Sequence, residues 1–277
     1  MTLSTVVMSM VSATLPASVL RRHTATRPPA ESEAVRRCAS TQRSLGTVES
    51  ALPASVLADE AVARWARDQG VTVGIRTSRE LGTALAAGIL PMRMTVHAGG
   101  LKANELLFCT VNLGVGRVVI DSRYQIEQLA SASGRKQRVL VGVTRRGEGV
   151  GFGFDTHEAT EGYSAVLDCP RLDLVGLYSE IGPDEPHFLS YPAAIGDMLA
   201  EMAQIRRDHG AVLTRIGLGG HGFTFGDLAE VTTSVEETLD DVCATLRFPR
   251  PVVTVLAEPA QGRAGESRGR TLGSASR

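Results

Sequence analysis

The chain has 277 residues, 43% hydrophobic and 21% charged, with a net charge of −1. That length suits one large α/β domain or two small ones, and the balanced charge argues against nucleic acid or an anionic membrane as partner. No apolar run approaches the roughly 20 residues that span a bilayer, and Cys38, Cys109, Cys169 and Cys243 lie too far apart for a zinc pattern or a disulfide framework, which fits reduced thiols in a cytoplasm.

Residues 1–47 are rich in Ser, Thr, Ala, Arg and Pro, show no sustained period and read as irregular. Arg21, Arg22 and Arg27 follow a mildly apolar stretch, but a charged start and a compact apolar core are lacking, so no targeting peptide is assigned. The hexapeptide Leu-Pro-Ala-Ser-Val-Leu stands at 15–20 and again at 52–57, with flanks too different for a repeat architecture.

From residue 48 to 260, short β-branched runs alternate with helical patterns. Strands are expected near Thr47–Val56, then at Val71–Arg76, Arg93–His97, Arg117–Asp121, Arg138–Thr144, Leu172–Ser179, Val212–Leu218 and Val252–Leu256. Helices are expected at Ala58–Gln69, Glu80–Ala87, Lys102–Leu113, Tyr124–Ala132, Phe188–Asp208 and Phe225–Leu246. In the fifth of these, Ile195, Met198, Leu199, Met202 and Ile205 recur at helical spacing. The alternation predicts an α/β fold, a closed (β/α)8 barrel of TIM type. An open dinucleotide-binding sheet is the rival, and no G-x-G-x-x-G follows the first strand. Residues 261–277 carry no period and read as a disordered tail.

Barrel chemistry gathers where the strands end. Those positions hold Thr77-Ser78, His97-Ala98-Gly99-Gly100, Asp121-Ser122, Gly151-Phe152-Gly153, Glu180-Ile181-Gly182, Gly219-Gly220-His221-Gly222 and Glu258-Pro259. The glycine-rich run at 217–222 lets backbone N–H groups approach an anion, although such a turn also serves merely to permit positive φ. The histidines form no metal-ligand spacing; His157, His187 and His209 read as loop or helix-end residues.

Several of these runs resemble diaminopimelate decarboxylases. They include Ser78-x-Glu80-Leu81, Ala84–Gly88, Thr95-Val96-His97, Gly114–Ser122, Phe152-Gly153-Phe154, Ile181-Gly182, Gly219-Gly220-x-Gly222 and Glu258-Pro259, in the family's order. The resemblance covers about residues 48–260. It implies a pyridoxal-phosphate barrel of the group that includes ornithine and arginine decarboxylases and resembles alanine racemase. By that resemblance Gly219, Gly220 and Gly222 would hold the cofactor phosphate and Glu258 would meet the pyridine nitrogen, while His97 and His221 stand on the ligand face by their place after the strands.

The departures from the family concern the same region. The family's Schiff-base lysine lies on the first barrel strand; alignment puts Ser55 there in one register and Glu49 in another, and neither forms an imine. The only lysines are Lys102, after the third strand, and Lys136, before the fifth. Two family histidines are Tyr178 and Glu180, a family serine is Pro183, and a family glycine is His221. The sequence stops where the family begins its C-terminal β-domain. The expectation is a barrel without that domain, cytoplasmic, retaining pyridoxal phosphate non-covalently or a regulatory role. It would pair with itself or with a family member. The alternative is an active amino-acid decarboxylase that completes its site with another chain.

Overall fold

The computed structural model describes residues 32–44, 48–132, 134–144, 152–153, 156–181, 191–219 and 228–256. Eight parallel strands form its centre: β1 (Glu49–Pro53), β2 (Thr72–Ile75), β3 (Met94–His97), β4 (Arg117–Ile120), β5 (Gln137–Thr144), β7 (Leu172–Glu180), β8 (Arg215–Gly219) and β9 (Val252–Leu256). Each pairs with the next, β4 pairs with β5, and β9 returns to β1 through Glu49↔Thr254, Ser50↔Val255 and Ala51↔Leu256. The sheet is therefore a closed barrel, which removes the exposed edges of an open sheet. A two-residue strand, β6 (Phe152–Gly153), adds to β5 at Val143 and Thr144.

Helices cover the barrel: α1 (Glu33–Ser44), α2 (Glu60–Gln69), α3 (Ser78–Ala86), α4 (Ala103–Leu107), α5 (Arg123–Ser131), α6 (His157–Leu167), α7 (Tyr191–His209) and α8 (Leu228–Leu246). Local chemistry sets their ends. Asp59 caps α2 by accepting from the N–H groups of Ala61 and Val62 at 2.8 and 3.2 Å, and Gly70 ends it with φ 62. The Thr77 hydroxyl caps α3, and Thr156 caps α6 at 3.1 Å to Ala159 N–H.

The outward strand residues Val73, Ile75, Val96, Val118, Ile120, Val139 and Val141 are fully buried beneath these helices. Each contributes about 1.5–3 kcal/mol relative to exposure. The predicted period of α7 is the one it buries, with Ile195, Met198, Leu199 and Met202 at zero exposure.

All eight expected strands form. The helix expected at Lys102–Leu113 forms as α4 followed by a π-helical stretch, Phe108–Leu113. Two helices depart from expectation. α1 lies inside the stretch expected to be irregular; its buried stripe of Val35 and Cys38 is short and surrounded by polar residues. α6 lies where only a loop was expected. It buries Ala159, Gly162, Tyr163 and Val166 at helical spacing, but two of these four are too small to mark an apolar stripe. Residues 1–31 and 257–277, with the expected N-terminal irregularity and the expected tail, lie outside the described residues.

Candidate functional site

The C-terminal strand ends form the barrel mouth, and alternation along each strand decides which side chains enter it. On β1, Glu49 bonds to Arg215 and Thr254 inside the barrel, and Ala51 lines the interior. The same alternation turns Pro53, the last residue of β1, inward at the mouth. Ser55 belongs to the helical turn Ala54–Ala58 beyond the strand and is exposed. Glu49 opens the strand at the opposite end. Neither residue weighed for the lysine position stands at the inward mouth end of β1; Pro53 does. Sequence reasoning missed Pro53, although the inward parity of Ala51 two residues earlier points to it.

Four side chains meet at the mouth. Tyr178 on β7, 6% exposed, donates from Oη to Glu180 Oε1 at 2.8 Å. Arg76, just after β2, brings its guanidinium to Glu180 at 2.9 Å and to Tyr178 Oη at 3.4 Å. His97, closing β3, stands edge-on to the Tyr178 ring, with centroids 4.8 Å apart and planes at 78°. Glu80 receives the backbone N–H of Arg76 at 2.6 Å, fixing the turn that aims the guanidinium.

The electrostatics keep both aromatic groups neutral. Burial first, and the Arg76 charge second, lower the His97 imidazolium to a pKa of about 3. Burial, reinforced by the Glu180 carboxylate, pushes the Tyr178 phenol well above its ordinary value. Asp121, after β4, is raised by burial while Gln125 grips its carboxylate at 2.6 Å. The mouth thus holds an ion pair, a neutral imidazole and a neutral phenol, with no nucleophilic amine among them.

The phenol ring lies along β8 beside Gly217 and Gly219, which have no side chains. A Cβ on Gly217 would stand 2.6 Å from Tyr178 Cδ2, and one on Gly219 only 1.7 Å from Tyr178 Oη. Gly219 ends β8, and its carbonyl accepts from Ile181 N–H at 2.7 Å. Below the ring remains a void of about 30 Å³, lined by Ala51, Gly74, Thr95, Leu140 and Leu256 among others. It has room for one or two waters, since each needs about 10–15 Å³.

Of the residues singled out in sequence, His97 and Gly219 are brought together around Tyr178. Gly220, His221, Gly222, Glu258 and Pro183 lie outside the described residues. Lys102 is exposed at the start of α4, its backbone N–H held by Glu105 at 2.8 Å. Lys136 lies at the far end of the barrel, 3.5 Å from Asp173. His157 and His209 are the first residue of α6 and the last of α7. Among the described residues no group of three or more His, Cys, Asp and Glu could hold a metal, and no helix is long and apolar enough to cross a membrane.

Residues 31–265 match the pyridoxal-binding domain of the pyridoxal-dependent decarboxylases. The chain is 32% identical over 229 residues to a diaminopimelate decarboxylase of Actinosynnema pretiosum, covering 75% of this chain and 50% of that one. It is 29% identical over 231 residues to the diaminopimelate decarboxylase of Corynebacterium efficiens, covering 74% and 50%. It spans about half the length of these curated relatives. The diaminopimelate decarboxylase of M. jannaschii shares the fold, with a TM-score of 0.69 at 10% identity over 81% of this chain and 58% of that one.

Pyridoxal phosphate is thereby the cofactor to test against this barrel. The described residues do not fit its covalent attachment, because neither lysine enters the mouth cluster. On the match over residues 31–265, the chain belongs to the pyridoxal-dependent decarboxylases, and its barrel is their pyridoxal-binding domain.

Proposed function

We propose that this protein is a catalytically impaired relative of the diaminopimelate decarboxylases, one that has given up covalent cofactor chemistry and acts by binding. One observation carries the reading. Among the described residues, the mouth positions Pro53, Arg76, His97, Tyr178, Glu180 and Gly219 include no amine. Covalent attachment through a lysine is the route of this chemistry itself, so its loss costs orders of magnitude in rate.

What remains suits non-covalent capture of an anion. Arg76 supplies a guanidinium at the mouth, and Gly220, Gly222 and Glu258 follow in sequence where the resemblance assigns phosphate and pyridine contacts. The ligand class is pyridoxal phosphate or an amino acid, in a cytoplasmic protein. Its partner would be a second copy of the chain or a family member.

The test is a titration with pyridoxal phosphate, followed by borohydride reduction and peptide mapping. The expected result is saturable binding without a reduced lysine adduct. A trapped peptide containing Lys102 would overturn the reading. It would favour instead an active decarboxylase completed by another chain, which the exposed mouth-side position of Lys102 leaves sterically accessible. Release of carbon dioxide from diaminopimelate would support that second reading directly.

A further inference from the structure

At the end of the barrel away from Tyr178, the strand starts enclose a cavity of about 790 Å³. Among the described residues its wall carries six cations, Arg93, Arg117, Arg135, Lys136, Arg138 and Arg215, and one carboxylate, Glu49. The chain as a whole has a net charge of −1, so this excess is local.

The acids within reach are already committed. Glu49 lies 3.0 Å from Arg215 and 3.9 Å from Arg117, and it also takes the Thr254 hydroxyl at 3.2 Å. Asp173 meets Lys136 at 3.5 Å. Arg93 and Arg138, both exposed, have no carboxylate partner among the described residues. Arg117 registers the crowding. Its side chain is 14% exposed. Burial above all, with repulsion from Arg215, Arg138 and Arg93 against the pull of Glu49, holds its guanidinium below the ordinary value.

Arginines at this end of a barrel have a plainer use, which is to donate to helix C-terminal carbonyls. Arg135 does so with Gly114 O, and Arg171 with Ala132 O. That role leaves Arg93 and Arg138 unexplained, while Arg117 and Arg215 share the single carboxylate of Glu49. Five of the six cations are guanidiniums, whose planar forks match carboxylate and phosphate oxygens. Among the described residues no aromatic lines the cavity, so they offer no platform for stacking a base.

We propose that this basal cavity binds a compact small polyanion bearing at least two phosphate or carboxylate groups, between Arg93, Arg117, Arg138 and Arg215. The site is separate from the mouth, and its occupation does not depend on any cofactor there.

Calorimetric titration of the full chain with inorganic pyrophosphate, and separately with citrate, tests this at constant ionic strength. One-to-one saturable binding of either probe is expected, and which binds tighter separates phosphate from carboxylate ligands. Removing one guanidinium should weaken binding about tenfold or more. The double variant Arg93→Gln/Arg138→Gln uses exposed residues, and Arg138→Gln alone is the milder form. Without anion the double variant should melt at the same temperature as the parent or higher, because repulsion is relieved. The proposal fails if neither probe saturates, or if the double variant binds as tightly as the parent. It also fails if the double variant melts lower while its anion response is unchanged, or if a single-stranded oligonucleotide binds more tightly than pyrophosphate.

Discussion

His97 is neutral in the folded chain because its ring is walled in by Tyr178 and the Arg76 guanidinium. Its folded pKa of about 3 lies below the ordinary 6.5, so between those values the unfolded chain binds a proton that the folded chain refuses. The contribution is whole above pH 6.5 and is lost as pH falls toward 3, at up to about 1.4 kcal/mol per pH unit. Urea unfolding of the parent and of His97→Phe at pH 7.5, 6 and 4.5 should show a shallower acid decline in the variant. Parallel curves would dissociate His97 from the effect. Gly219 makes a second prediction. Gly219→Ala places a methyl against Tyr178 Oη and should cost about 1–3 kcal/mol, as overpacking does. In a Tyr178→Ala background the same change should cost much less, and the coupling is read from a double-mutant cycle.

The elements differ in how openly they announce themselves. β2, β3, β4 and β5 carry β-branched side chains buried beneath the helices, and Val73, Val96, Val118 and Val139 mark them without help from context, whereas β1 (Glu-Ser-Ala-Leu-Pro) has no β-branched residue. α7 is as plain, since its apolar period is built from Ile, Leu and Met. α6 was illegible because its buried stripe includes Ala159 and Gly162, and a glycine inside a helix speaks against one. The reason for that glycine is tertiary: a Cβ at 162 would lie 3.0 Å from the Phe152 ring. The helix depends correspondingly on its cap. Thr156→Ala should lower stability by about 1 kcal/mol in chemical denaturation. In the site, His97 and the β8 glycines were legible from the strand ends. Pro53 was not, because the register of β1 rests on its pairing with β2 and β9 and not on any residue in it.

Across the whole molecule, closure of the barrel is stitched by one carboxylate. Glu49 on β1 touches Arg117 on β4, Arg215 on β8 and Thr254 on β9, strands that meet only because the sheet closes. Glu49→Ala leaves two arginines facing each other. It should cost about 1–2 kcal/mol in thermal or urea unfolding, less than a fully buried pair because Glu49 is 42% exposed. Relief of that loss by added pyrophosphate would show the remaining charge accepting a counterion. The opposite end has a different economy. Tyr178 found its place over Gly217 and Gly219, which present no side chains, and the strands beneath it keep their parallel register with β7 and β9. Exchanging that one side chain for alanine would therefore hand the vacated volume back to the mouth, joined to the small void below, so the barrel is stoppered and not rebuilt.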